Sequence, residues 1–145
     1  EASRLAGRTT AFAQFLAANE KEALSRLFKK RRDAGPWTYH DSCHSKHLLG
    51  ASRDSRDLLR MALDREISEM DSSDVCCGFA GAFSVEHPEI SAALTGGKIS
   101  AVKKTGAGLV ATDCPGCLLQ IGGGCHRQGL DVAVRHTAEI IGERL

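Results

Sequence analysis

Hydrophobic and polar positions change period several times along this chain, and each change marks an element. In the first third the apolar residues recur at helical spacing. Leu5, Phe12, Phe15 and Leu16 fall on one face, and so do Leu24, Leu27 and Phe28, which predicts amphipathic helices. The basic run Lys29-Lys30-Arg31-Arg32 closes the second of these. It reads as a solvated helix C-terminus favoured by the helix dipole rather than as a binding patch. Gly35 and Pro36 break the pattern, and Trp37-Thr38-Tyr39-His40 reads as a short strand. Residues 53–63 predict a helix with Leu58, Leu59 and Ala62 inward, and residues 66–70 a second strand. Asp71-Ser72-Ser73-Asp74 is a polar loop.

Beyond that loop, Phe79-Ala80-Gly81-Ala82-Phe83 forms a glycine-containing turn. Pro88 suits the first position of a helix that carries Ile90, Ala93, Leu94 and Val102 and closes at Gly106. Gly96 and Gly97 weaken its middle. Leu109-Val110-Ala111-Thr112 predicts a buried strand. A helix starting at Cys117 reaches Ile121, where Gly122-Gly123-Gly124 is expected to end or loosen it. Val132-Ala133-Val134 predicts a last strand, and Thr137 a cap for a closing helix over residues 138–145. Strands alternating with helices predict an α/β fold: a mainly parallel sheet flanked by helices. In such sheets ligands sit at the carboxyl ends of the strands. We divide the chain into an N-terminal helical segment, residues 1–34, packing on a cysteine-rich domain, residues 35–145.

Composition narrows the function classes. The chain has 145 residues, enough for one domain with a real core. Net charge is +1 and hydrophobic content 42%, which points to neither nucleic acid, an acidic substrate nor a membrane surface. No apolar run approaches the roughly 20 residues of a spanning helix. The first residue is Glu1 rather than Met, and no signal-peptide pattern follows. The chain thus reads as a piece of a longer product, with its cysteines reduced or ligating in the cytoplasm.

Five of the six cysteines form one spaced pattern: Cys43, the adjacent pair Cys76 and Cys77 followed by Gly78, then Cys114 and Cys117 across a Cys-Pro-Gly-Cys turn. Cys43 and Cys114 each lie just beyond a predicted strand end, where the fold reading also places a site. Neighbouring cysteines on short turns rarely close a disulfide together. Five thiols gathered from three distant segments suit a metal or an iron–sulfur cluster better. Two other readings stay open: a structural zinc on four of the thiols, and a dithiol redox pair at Cys114 and Cys117. Five candidates are one too many for tetrahedral zinc, which favours the cluster. Gly78, Gly81 and Gly116 are expected to let main chain approach something bulky.

Other polar residues take plainer readings. Cys125 lies outside the pattern and reads as a spare buried thiol. His40 and His44 flank Cys43 and read as satisfied polar residues at a strand end, with a ligating or orienting role the lesser alternative. Asp41 and Asp113 are expected to accept backbone N–H bonds in their turns. His87 and His136 read as cap or core residues. No G-x-S-x-G elbow supports a hydrolytic triad, and neither a G-x-G-x-x-G fingerprint nor a P-loop is present. No catalytic residue is assigned.

Cys43, Cys76-Cys77-Gly78 and Cys114-x-x-Cys117 resemble the cysteine-rich "CCG" domain found in heterodisulfide reductase, in the glycolate oxidase iron–sulfur subunit and in the anaerobic glycerol-3-phosphate dehydrogenase. The wording is closer still to the lactate utilization protein A family. It matches at Tyr39-His40-Asp41-Ser42-Cys43-His44, at Cys76-Cys77-Gly78-Phe79-x-Gly81-x-Phe83-Ser84-Val85, at Pro88-Glu89-Ile90-Ser91 and at His136-Thr137-Ala138-Glu139. Members of that family carry two such units in tandem; this chain resembles the C-terminal one. The resemblance implies an iron–sulfur electron-transfer domain in a cytoplasmic complex that oxidises L-lactate to pyruvate, partnered by other iron–sulfur subunits. It implies a [4Fe–4S] cluster of noncubane type with Cys43, Cys76, Cys77, Cys114 and Cys117 as ligands.

Overall fold

A computed structural model describes residues 1–29 and 35–145. Three short parallel strands form its centre: β1 (Trp37–His40), β2 (Leu109–Thr112) and β3 (Ala133–His136). They lie side by side in the order β1-β2-β3. The register pairs Thr38 with Val110 and His40 with Thr112, and continues from Val110 to Val134 and from Thr112 to His136. Parallel strands need crossovers, and helices supply them. In chain order the helices are α1 (Ala2–Ala6), α2 (Phe12–Asn19), α3 (Lys21–Leu27), α4 (Ser52–Leu63), α5 (Phe83–Glu86), α6 (Pro88–Thr105), α7 (Pro115–Arg127) and α8 (Thr137–Glu143). This is the α/β fold, a parallel sheet flanked by helices, that the sequence predicts.

Strand alternation divides the core into two halves. Trp37, Tyr39 and Ala111 point to one face, where Leu59 and Leu63 of α4 and Ile140 of α8 cover them. Val110 points to the other face, against Ile99 and Val102 of α6 and Cys117, Ile121 and Cys125 of α7. His40 shares that second face by its register with Thr112. A third cluster joins α2 and α3 to the back of α4, with Ala13, Leu24 and Phe28 meeting Leu58, Ala62 and Ile141.

Several elements differ from the sequence reading, each for a local reason. Residues 66–70 are not a strand; they run beside β1 with one backbone bond, Ser68 N–H to Trp37 O (2.9 Å). Trp37 Nε1 fixes the same stretch by donating to Arg65 O (3.1 Å). α7 does not end at its glycine triplet but continues to Arg127. Helix packing supplies the reason: a Cβ at Gly124 would stand 2.8 Å from Thr95 Cγ2 and 3.0 Å from Ile99 Cγ1 of α6. The triplet thus lets two helices approach instead of breaking one. α6 likewise runs through Gly96 and Gly97 and stops at Gly106, whose φ of 65° is the left-handed cap expected there. In the first helices Leu5, Phe12, Phe15 and Leu27 are exposed; the buried stripe is Ala13, Leu24 and Phe28. The helical pattern is interrupted after Ala6 and again at Glu20, so the apolar residues do not share one face. Lys30, Arg31 and Arg32 of the basic run lie outside the described residues, as does the expected boundary at residue 34. Thr137 does not cap α8; His136 does, its Nδ1 accepting the Ala138 N–H (3.1 Å). Among the described residues, no helix is long and apolar enough to cross a membrane.

Candidate metal centre

The carboxyl ends of β1 and β2 open towards the N-terminus of α7, and the cysteines converge there. Cys114 occupies the N-cap position of α7 and Pro115 its first turn, so Cys117 faces the sheet from within that turn. Cys77 arrives from the opposite side. Its sulfur lies 3.2 Å from the Cys117 sulfur, and both residues are buried. His40, the last residue of β1, is 1% exposed. Its ring nitrogen and the two sulfurs all lie within 4.8 Å of one another. Cys114 is half-buried and packs against this group.

Cys43 and Cys76 stand apart. Both are exposed: Cys43 begins the turn of π-helix His44–Leu48 after β1, and Cys76 precedes Cys77, its sulfur accepting the Gly78 N–H at 3.3 Å. Of the five cysteines singled out, the fold therefore apposes Cys77 and Cys117, sets Cys114 beside them, and leaves Cys43 and Cys76 at the rim. Cys125 is a core thiol of α7, surrounded by apolar side chains.

A polar lattice fixes Cys77. Thr95 Oγ1 donates to Cys77 O (2.9 Å), Ser91 Oγ donates to Gly78 O (2.8 Å), and Gln120 Nε2 of α7 donates to both hydroxyls. The close approach expected at Gly78 is real, but its neighbour is α6. A Cβ there would stand 2.6 Å from Ser91 O, and φ is +89°. At Gly116 the close neighbour is the Phe79 ring, 2.5 Å from a would-be Cβ, and at Gly81 nothing lies within 4 Å. Gly78→Ala is therefore expected to cost more than about 2 kcal/mol, combining left-handed strain with a backbone clash. The urea midpoint measures it, and a shift equivalent to less than about 0.5 kcal/mol contradicts this account.

The loop before Cys77 is pinned through one carbonyl. Ser73 O accepts from Asp41 N–H (3.0 Å), from His40 Nδ1 (3.0 Å) and from Lys98 Nζ (3.2 Å). Lys98, buried on α6, also donates to Ser72 O (2.7 Å), and burial pulls its ammonium below the ordinary lysine range. Among the described residues Asp41 and Asp113 accept side-chain rather than backbone bonds, contrary to expectation. Asp41 takes two bonds from Arg56 (2.8 Å each) and bonds from the hydroxyls of Ser52 and Ser73 (2.8 Å for Ser73). Asp113 takes the Tyr39 hydroxyl and Ser55 Oγ (2.6 Å). The Arg56 guanidinium lies 4.6 Å over the Tyr39 ring.

The two central thiols are electrostatically unlike. The Cys117 S–H donates to Cys77, which holds the Cys77 thiol well below its ordinary range although burial opposes this. The same bond, with burial and the Cys77 charge, pushes Cys117 up. One thiolate with a protonated partner beside it is a ligand pair half-prepared for a soft cation, which binds thiolates rather than thiols.

Sequence reasoning ranked His40 as a bland residue. The signal that could have raised it was its parity on β1: alternation sets His40 opposite Trp37 and Tyr39, at the carboxyl end where ligands collect. Lys98 had no such signal, because a lysine inside a helical pattern normally reads as solvent-facing.

A three-stranded α/β unit with apposed thiols at its strand ends defines a cysteine-rich domain. Residues 37–122 match the family model of the cysteine-rich (CCG) domain, and the chain belongs to that family. It is similar to lactate utilization protein A of Halalkalibacterium halodurans, with 36% identity over 143 residues, covering 97% of this chain and 56% of that protein. Lactate utilization protein A of Shouchella clausii is 34% identical over 145 residues, covering 99% of this chain and 58% of that protein. A probable glycolate oxidase iron-sulfur subunit of Bacillus subtilis is 41% identical over 106 residues, covering 72% of this chain and 24% of that protein. The chain thus spans a little over half the length of the lactate utilization proteins it matches.

Proposed function

We propose that this chain is an iron–sulfur electron-transfer domain of a cytoplasmic complex that oxidises L-lactate to pyruvate. The observation that carries the reading is the buried Cys77–Cys117 pair, sulfurs 3.2 Å apart, at the carboxyl ends of a parallel sheet. Its residues fit such a group: two buried thiols of unlike protonation, Cys114 beside them, and a buried ring nitrogen, His40 Nε2, with no partner. Cys43, Cys76, Cys77, Cys114 and Cys117 are the proposed ligands of a [4Fe–4S] cluster, of noncubane type by the family resemblance. A cluster of this kind supplies one-electron redox capacity when bound. The chain's own residues provide thiolates, hold them through the Ser91–Thr95–Gln120 lattice, and exclude water with Phe79 and Ile121.

The substrate assignment draws on the names of the relatives, lactate utilization for most and glycolate oxidase for one. Subunits in which that activity resides, and other iron–sulfur subunits, are the proposed partners. Within the chain, residues 1–34 are proposed to form a helical segment packed on the cysteine-rich unit of residues 35–145. The burial of Ala13, Leu24 and Phe28 against α4 supports this.

A second reading is zinc in a structural role without redox function. One nitrogen and two sulfurs within 4.8 Å, with a third thiol nearby, also suit a tetrahedral ion. Iron, zinc and acid-labile sulfide contents of protein purified without oxygen decide between them. Iron with near-equal sulfide and a visible band bleached by dithionite are expected. Zinc without sulfide, and loss of folding on chelation, establish the structural reading instead.

A further inference from the structure

The buried His40 ring has one nitrogen accounted for and one that is not. Nδ1 lies 3.0 Å from Ser73 O. A carbonyl only accepts, so Nδ1 carries the proton, and in the neutral ring Nε2 bears a lone pair. Nε2 is buried and makes no hydrogen bond of ordinary geometry, although the ring stands close enough to the Cys77 sulfur to help hold that thiol low. A buried acceptor left unpaired is costly. A ring nitrogen of His40 and the Cys77 and Cys117 sulfurs all lie within 4.8 Å of one another, and with Nδ1 engaged by Ser73 O the nitrogen free to share a ligand with them is Nε2. Ligand atoms about 2.0–2.3 Å from a shared tetrahedral cation stand roughly 3.3–3.8 Å apart. That spacing lies inside the trio's 4.8 Å limit, and the two sulfurs, at 3.2 Å, need to part only slightly.

The ring is also held as metal-ligating histidines are held. Such a ring donates its other N–H to a carbonyl or carboxylate, which fixes tautomer and orientation. Here the carbonyl is Ser73 O, itself anchored by Lys98 and by the Asp41 N–H. The residue that carries the ring sits in a fully buried strand paired to β2, which fixes its backbone.

We propose that His40 is a nitrogen ligand of this centre, binding the metal through Nε2 between the Cys77 and Cys117 thiolates. The inference rests on a metal occupying the site as proposed above, and holds whether that metal is cluster iron or a single divalent cation. A neutral nitrogen added to the thiolates holds the metal without adding negative charge to the coordination shell. The five cysteines are then not the centre's complete donor set.

The test is an anaerobic titration of the reduced chain with Co²⁺, comparing it with His40→Ala and His40→Cys, with circular dichroism as the check on folding. Expected are thiolate-to-cobalt charge-transfer bands and tetrahedral d–d bands in the parent protein. His40→Ala is expected to weaken binding by about tenfold or more and to shift the d–d bands. His40→Cys is expected to restore affinity with stronger charge transfer. NMR of the unaltered chain loaded with NMR-active cadmium needs no variant; coupling from cadmium to the assigned His40 ring is expected. Unchanged affinity and spectrum in folded His40→Ala, or cadmium bound without coupling to His40, overturns the proposal and leaves His40 a hydrogen-bonding neighbour of Cys77. Failure of the cluster reading looks different: iron and sulfide do not load, while Co²⁺ binding still depends on His40.

Discussion

Cys77→Ser and Cys117→Ser are each expected to abolish iron and sulfide loading, whereas Cys125→Ala leaves loading intact. All three thiols are buried, so exposure does not separate them. Position does. Cys77 and Cys117 face each other at 3.2 Å beside His40, while Cys125 lies deeper in α7 among Ile99, Val102 and Ile121. A serine hydroxyl stays protonated where a thiol yields a thiolate, so either replacement removes a soft anionic donor from the middle of the site. Cys125→Ala removes only a small apolar group and costs about 1 kcal/mol of packing. Because Cys117 is held protonated by its bond to Cys77, metal uptake must release that proton. Loading affinity should therefore rise with pH. Iron and sulfide assays of the three variants, matched for folding, check the prediction, and full loading of Cys117→Ser refutes it.

Arg56→Met is expected to cost about 3–5 kcal/mol of folding stability. Asp41 follows β1 and its side chain is 2% exposed, and Arg56 at 12% exposure is its cationic partner. The pair is bidentate, at 2.8 Å on each arm, and Arg56 also reaches Glu69 (2.9 Å). Removing the guanidinium leaves a buried carboxylate facing only the Ser52 and Ser73 hydroxyls. Combining Asp41→Asn with Arg56→Met should recover part of the loss, because the cost lies in the unpaired charge rather than in the missing contact.

Acid gives an independent handle on the same pair. Burial alone would raise the Asp41 carboxyl, but the hydrogen bonds from Arg56, Ser52 and Ser73 and the Arg56 charge outweigh it and hold the group well below the ordinary range. A depressed folded-state value means that the unfolded chain takes up the proton first. The contribution is therefore complete above roughly pH 4–5 and declines as the pH falls through and below about 3.9, the ordinary carboxyl value. Urea unfolding across that window should show a steep acid limb in the parent protein and a flatter one in Arg56→Met. A loss under about 1 kcal/mol at neutral pH would contradict the account.

The Arg56–Asp41 pair bears on the metal centre through position. It ties α4 to the end of β1 and, through Ser73, to the loop that carries Cys76 and Cys77. Arg56→Met should therefore also weaken metal loading, with the loss following the unfolded fraction rather than any loss of a ligand.

Much of the frame was legible because it depends on local periodicity and punctuation. The strand at residues 109–112 and the extent of α6 from Pro88 to its Gly106 cap follow from short-range rules that the tertiary fold has no reason to override. The misreadings share a cause. Residues 66–70 looked like a strand because a single edge bond leaves the same pattern as a ladder, and Gly122–Gly124 looked like a break because helix propensity contains no term for a neighbouring helix. The exposure of Phe12 and Phe15 has the same origin, since a short helix interrupted on both sides does not keep the face that its spacing suggests.

The sequence by itself determined the chemistry at hand: five spaced thiols, two of them just beyond strand ends, and an α/β frame that collects ligands at one edge. Which donors meet was decided only in three dimensions. The lone pair on His40 Nε2 depends on a carbonyl thirty-three residues away, Ser73 O, taking the other ring proton. The unlike states of Cys77 and Cys117 depend on a loop and the first turn of α7, forty residues apart, closing to 3.2 Å. Spacing lists candidate ligands, but protonation and orientation are set by neighbours distant in sequence, and only the folded chain supplies those.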